Sequence, residues 1–82
     1  MAAKICVVGS SNIDQIAYVD STPSDGETVF GSEYKMGFGG KGANQAVMSG
    51  LMGAETYMIT CLGDDVYADM TIENYKKNDV NV

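Results

Sequence analysis

Residues 37–46 read GFGGKGANQA, and this stretch carries a glycine-rich loop directly into a helix. Glycine has no Cβ, so such a loop bends tightly and other groups can approach its backbone closely. The residues that follow repeat small or apolar side chains at helical spacing, which predicts a helix with one small-residue face. That face consists of Ala43, Ala46, Val47, Gly50, Leu51 and Ala54. Gly53 is placed to end the helix, because glycine readily adopts the left-handed conformation found at helix C termini.

Short apolar runs on both sides of the loop and helix predict a parallel sheet. Residues 5–8 and 57–62 are typical of strands that are buried on both faces. Val80 and Val82 open a third strand. Strands that alternate with helices are typical of an α/β protein with a doubly wound sheet.

A second helix is predicted between the later strands. Asp64 or Asp65 can cap its N terminus, and Lys76 and Lys77 suit the negative end of its dipole. A doubly wound sheet needs helices on both faces, and two helices cannot supply them. We therefore expect the chain to be the N-terminal part of a larger domain, with residues 1–82 forming one piece of it.

The segment between the first strand and the glycine loop predicts a small β flap. Residues 13–20 and 28–36 are of mixed polarity, and the strongest turn signal of the chain, residues 21–26, separates them. We interpret them as two antiparallel strands that project from the main sheet. The exposed aromatic side chains of this flap, Tyr18, Phe30 and Tyr34, pack either on a ligand or on a partner subunit.

Composition limits the classes of function. The 82 residues have room for one small domain, and the net charge of −6 with five Lys+Arg residues argues against a nucleic-acid surface. Cys6 and Cys61 lie in apolar runs and are expected to be buried, reduced thiols. The apolar run near the N terminus is too short for a signal peptide or a membrane span, so a cytoplasmic location is expected.

Two general phosphate-binding patterns were compared with the glycine loop, and neither fits it. Gly37, Gly39 and Gly42 satisfy the spacing of the dinucleotide fingerprint, but that fingerprint follows the first strand directly, whereas here a whole flap intervenes. The P-loop pattern fails, because Lys41 is followed by glycine and not by serine or threonine.

The loop resembles the first signature of the ribokinase (phosphofructokinase-B) family of sugar kinases. The matching positions are Gly39, Gly40, Gly42, Asn44, Ala46, Gly53 and Gly63, at every spacing of that signature. Two further matches are Asn12-x-Asp14 after the first strand and residues 26–28, which read GET. The lysine within GGKGANQA is typical of the ribokinase branch. The resemblance covers nearly the whole chain.

The resemblance implies an ATP-dependent transfer of phosphate to ribose, with Mg²⁺ and a monovalent cation such as K⁺ as cofactors. The catalytic aspartate, the nucleotide pocket and the ion sites of this family lie in later residues, so no catalytic, cofactor-binding or metal-binding residue is expected in this chain, and the 82 residues alone are expected to be inactive. The mixed polarity and exposed aromatic residues of the flap further predict that it closes over the sugar as a lid and contacts its counterpart in a homodimer. The alternatives are a kinase for fructose or a nucleoside, and a non-catalytic sugar-binding or dimerisation module.

The resemblance assigns the sugar site to two segments. The matching residues are Asn12, Ile13, Asp14, Gly40, Lys41, Gly42, Ala43 and Asn44. An ionised Asp14 can accept hydrogen bonds from two hydroxyl groups. Asn12 and Asn44 each offer one acceptor and two donors. Gly40 and Gly42 let backbone amides approach a ligand, and Lys41 adds a cationic donor. Without the resemblance, Asp14 is most simply a solvated loop carboxylate, and Asn44 is most simply a group that satisfies local backbone donors. The alternative for Lys41 is a surface lysine.

Overall fold

The computed structural model describes residues 2–82 and has seven elements of secondary structure. In chain order they are β1 (Lys4–Val8), β2 (Asn12–Tyr18), β3 (Glu33–Gly39), α1 (Lys41–Leu51), β4 (Glu55–Ile59), α2 (Val66–Lys77) and β5 (Val80–Asn81). The predicted α/β class is confirmed. No helix among these described residues is long and apolar enough to cross a membrane.

The main sheet has three parallel strands in the order β1-β4-β5. Lys4 of β1 lies beside Glu55 of β4, and Val8 lies beside Ile59. The amide of Gly9 donates to the carbonyl oxygen of Ile59 at 3.2 Å, so pairing continues one residue past β1. The predicted third strand is present as the two residues of β5.

Both helices pack on the same face of this sheet. Side chains from three strands and two helices form one core, which consists of Val7, Ala43, Ala46, Met58, Tyr75 and Val80. Ala46 is completely buried, because small side chains let α1 approach the strands closely. The predicted small-residue face is therefore confirmed at these positions. Leu51 was expected on that face, but it is 64% exposed at the end of the helix.

The opposite face of the sheet is open among the described residues. This open face carries Cys6, Val8, Tyr57 and Ile59, of which Val8 is 76% exposed. The prediction that these strands are buried on both faces is therefore wrong for residues 2–82, because both helices lie on one side. The two cysteines are free, as expected, but they are exposed rather than buried: Cys6 lies on the open face, and Cys61 lies in the loop after β4.

The flap is a separate two-stranded antiparallel sheet formed by β2 and β3. Its second strand covers Glu33–Gly39 rather than the predicted 28–36. The amide of Ser32 donates to the carbonyl oxygen of Tyr18 at 2.8 Å, so residues 19–32 form the connection between the strands. The first strand likewise ends at Tyr18 rather than at residue 20.

The predicted helix ends are confirmed in detail. The carboxylate of Asp65 accepts a hydrogen bond from the amide of Ala68 at 2.9 Å and caps α2. Gly53 has a φ of 92° just beyond α1, in the left-handed region that favours glycine. Lys76 and Lys77 occupy the last turn of α2.

Candidate functional site

The two segments that carry the sequence-predicted site meet at one end of the main sheet. The chain leaves β1 through Gly9 and Ser10 and enters β2, while β3 ends beside it and leads into α1. The amide of Ala43, in the first turn of α1, donates to the carbonyl oxygen of Ser10 at 3.0 Å. This bond ties the loop after β1 to the N terminus of the helix. Ligands of open α/β sheets bind at the carboxyl ends of the strands, which is where this junction lies.

Antiparallel pairing brings Asn12 and Asp14 to the glycine loop. Asn12 pairs with Gly39, and Asp14 pairs with Gly37. Residues two apart in a strand share a face, so Asn12, Asp14, Gly37 and Gly39 all lie on one face of the flap. The carboxylate of Asp14 leans over Gly39, close to the start of α1.

The glycines of the loop are required by packing at this junction. A Cβ on Gly40 would lie 2.6 Å from the carbonyl oxygen of Ser10, and its φ of 100° disfavours other residues. A Cβ on Gly42 would lie 2.8 Å from the Cα of Gly9. The sequence interpretation was that these glycines give a ligand access to the backbone. The structure gives a different reason, which is close contact between the loop after β1 and the start of α1.

The remaining predicted residues are spread over three environments. Lys41 and Asn44 are exposed on the first turn of α1, and Asn44 also borders a cavity of about 420 Å³ between the two helices. Ala43 is buried and belongs to the core. The side chain of Ile13 lies on the other face of β2 from Asp14 and lines a cavity of about 130 Å³ near α2. The structure therefore does not place the Ile13 side chain beside the polar groups.

The electrostatic setting of the site combines a carboxylate with the positive end of a helix dipole. The first turn of α1 contains no acidic residue of its own, and the carboxylate of Asp14 lies close to the start of the helix. The salt bridges of residues 2–82 involve neither Asp14 nor Lys41. The pKa of Tyr57 is raised by its hydrogen bond to Glu55 and by the charge of that carboxylate, but this pair lies on the open face and not at the site.

Two features of the site were missed from the sequence. One is the contact between Gly39 and Asp14, which depends on the register of β2 and β3. The other is a half-buried hydrogen-bonded group in which Ser11 binds both Thr60, at 3.0 Å, and the hydroxyl of Tyr75. Tyr75 is 1% exposed, so α2 reaches across to hold the loop that precedes Asn12. No sequence pattern marks this pairing.

Comparison with known proteins gives a consistent result. The family model of pfkB carbohydrate kinases matches residues 2–82. The chain is 46% identical over 81 residues to the ribokinase of Dictyostelium discoideum and 43% identical over 77 residues to the deoxyribokinase of Salmonella typhi. These matches cover 99% and 94% of the chain, but only 26% and 25% of those proteins.

A solved structure agrees with the sequence comparison. The structure of Arabidopsis thaliana ribokinase complexed with ribose and ATP superimposes with a TM-score of 0.91 at 32% identity. The superimposed region covers 100% of the chain and 27% of the Arabidopsis protein. The chain therefore spans about a quarter of the length of the relatives it matches. The matched family model and these similarities lead to one assignment: the chain belongs to the pfkB family of carbohydrate kinases.

Proposed function

We propose that this chain is the sugar-binding portion of an ATP-dependent ribokinase, which converts D-ribose and ATP to D-ribose 5-phosphate and ADP. The observation that carries the proposal is the junction where Asn12 and Asp14 meet the loop that leads into α1. Family membership and the identity of 46% to a ribokinase support the reaction class. The protein that contains these residues together with the rest of the kinase is called the complete kinase below.

The polar groups at the junction suit a sugar. Each sugar hydroxyl both donates and accepts, so a site needs short polar side chains in fixed directions. The Asp14 carboxylate would accept from two hydroxyls, and Asn12 and Asn44 would each donate and accept. Lys41 and the N terminus of α1 would place positive charge beside the bound sugar and the incoming phosphate. Gly40 and Gly42 allow the loop after β1 and the start of α1 to lie in close contact.

Under this proposal, residues 2–82 bind the sugar, and the groups for phosphoryl transfer come from elsewhere in the complete kinase. We propose that further residues of the complete kinase bind ATP, Mg²⁺ and K⁺ and provide the catalytic base. When bound, the metal ions would neutralise charge on the transferred phosphate. The role of this chain is to bind and orient the sugar.

The flap has the properties of a lid. One face of its sheet carries Asp14, and the other carries apolar side chains such as Tyr34, which is 59% exposed, and Met36. We propose that the Asp14 face covers the sugar while the apolar face contacts the flap of a second copy in a homodimer. Tyr34→Lys should then shift the complete kinase from dimer to monomer in analytical ultracentrifugation. A Tyr34→Lys variant that stays dimeric would contradict this part of the proposal.

The cellular location belongs to the same proposal. Cys6 and Cys61 are both free and exposed, which suits a reducing compartment. We propose that the kinase works in the cytoplasm, and fractionation of cells that express the complete kinase would test this.

The decisive test is Asp14→Ala in the complete kinase. Hydrogen bonds to a charged acceptor contribute about 1.5–3 kcal/mol, so kcat/KM for ribose should fall by about ten- to a hundredfold or more. ATP affinity measured without sugar should stay the same, because further residues form the nucleotide site. The matched control is Asp20→Asn, an exposed carboxylate beyond the end of β2. An Asp14→Ala variant with near wild-type ribose kinetics would refute the assignment of Asp14 as a sugar ligand.

A sugar panel separates the remaining candidates. The similarity to a deoxyribokinase favours 2-deoxyribose as the second candidate substrate. The complete kinase should therefore be assayed with ribose, 2-deoxyribose, fructose and a nucleoside, and the proposal expects the highest kcat/KM for ribose. Sugar binding without phosphorylation of any of them would instead support a non-catalytic module.

A further inference from the structure

The carboxylate of Asp14 lies unusually close to the position that a Cβ of residue 39 would occupy. A Cβ built on Gly39 would lie 2.6 Å from Oδ2 of Asp14 and 3.0 Å from both Cγ and Oδ1. Ordinary contacts between heavy atoms are about 3.5–4.0 Å, so a methyl group at this position overlaps the carboxylate. The carboxylate of Asp14 thus occupies the space where any other residue at position 39 would place its side chain.

Backbone conformation does not require glycine at this position. The glycines with positive φ are Gly26, Gly40 and Gly53, and Gly39 is an ordinary residue of β3. Gly39 is buried, so space is limited around it. The requirement for glycine at position 39 therefore comes from the side chain of Asp14.

Gly37 provides a comparison within the same strand. It is the direct cross-strand partner of Asp14, and it lies on the same face as Gly39. Nevertheless, a Cβ on Gly37 would meet no atom within 4 Å. The Asp14 side chain thus leans along the sheet towards the loop and away from its direct partner.

We propose that Gly39 is a positioning residue for the sugar site, which acts by leaving room for the carboxylate of Asp14 beside the start of α1. This inference rests on the proposed function and deepens it. Any side chain at position 39 pushes the carboxylate towards Gly37 and away from the start of α1, which carries Lys41. Because a displacement of about 1 Å can cost a hundredfold in rate, a partial displacement should be readily measurable.

The test uses three single variants and one double variant of the complete kinase: Gly39→Ala, Gly37→Ala, Asp14→Ala, and Gly39→Ala with Asp14→Ala. Ribose KM and kcat, ATP KM and the melting temperature are measured for each. Gly39→Ala should lower kcat/KM for ribose by about tenfold, mainly through KM, since lost substrate binding raises KM. ATP KM should stay unchanged. Gly37→Ala should keep the wild-type melting temperature and lose less kcat/KM for ribose than Gly39→Ala, because its added methyl group meets no atom within 4 Å.

The double variant distinguishes positioning from a general structural effect. With Asp14 shortened to alanine, the added methyl group at position 39 no longer meets a carboxylate, so kcat/KM should equal that of Asp14→Ala alone. If Gly39→Ala lowers the melting temperature by more than about 4 °C, the double variant should melt at the same temperature as Asp14→Ala alone. An equal loss from Gly39→Ala in both backgrounds, or no recovery of stability, would overturn the inference.

Failure of the proposed function has a different signature. If Asp14→Ala leaves ribose kinetics unchanged, the assignment of Asp14 as a sugar ligand falls, and the positioning role falls with it. If Asp14→Ala is strongly impaired while Gly39→Ala matches Gly37→Ala, only the positioning role is refuted.

Discussion

Replacing Gly42 with alanine would place a methyl group against the backbone at the end of β1. The new Cβ would lie 2.8 Å from the Cα of Gly9 and 2.9 Å from the nitrogen of Ser10. These are main-chain atoms and cannot rotate away, so α1 would have to move off the sheet. Overpacking of this kind typically costs about 1–3 kcal/mol. Alanine returns less than about 1 kcal/mol through its higher helix propensity. We expect a net destabilisation of about 1–2 kcal/mol.

Urea unfolding of the complete kinase measures this loss. Movement of α1 would also break the bond from the amide of Ala43 to Ser10, so ribose KM should rise as well. Gln45→Ala, at an exposed position in the same helix, is the matched control and should leave both quantities unchanged. A Gly42→Ala variant as stable as wild type would refute the packing explanation for this glycine.

Three further predictions concern the same site and its support. Tyr75→Phe removes a buried hydroxyl that binds Ser11, so the free energy of unfolding should fall by about 0.5–1.5 kcal/mol; unchanged stability would contradict that bond. Asn44→Ala should lower kcat/KM for ribose by up to about tenfold, which is the effect of one neutral hydrogen bond, while Gln45→Ala should not; equal kinetics for the two variants would count against Asn44. The isolated 82-residue chain should be at best weakly folded, because the sheet has an open apolar face, and a sharp cooperative melt by circular dichroism would refute this.

Local sequence patterns predicted most of the elements. Small residues at helical spacing indicated α1 and the side that packs on the sheet, and Asp64 or Asp65 was expected to cap α2, a role that Asp65 takes. Helix ends and caps depend on neighbouring residues only, which is why they could be read from the chain. Leu51 was placed wrongly: it is exposed at the end of α1, while its neighbour Gly50 packs against Asn78 and Val80.

Features that depend on distant parts of the chain were harder to predict. Burial of β1 on both faces was inferred from its apolar residues, but burial depends on what covers each face, and that information lies outside the strand. The start of β3 at Glu33 depends on pairing with Tyr18, not on local propensity. The position of the Asp14 carboxylate above Gly39 depends on the register of two strands, which the sequence does not reveal directly.

The pairing of β1 with β4 has a consequence for the order of folding. Lys4 finds its neighbour only at Glu55, so β1 has no partner until the flap and α1 have been synthesised. The flap strands are neighbours in sequence, and their turn closes between Tyr18 and Ser32. Short-range pairings form faster than long-range ones. Pulse-labelling hydrogen exchange during refolding should therefore show protection of flap amides before those of β1, and the reverse order would contradict this. The part of the chain that would cover the sugar would then take shape before the sheet that supports it.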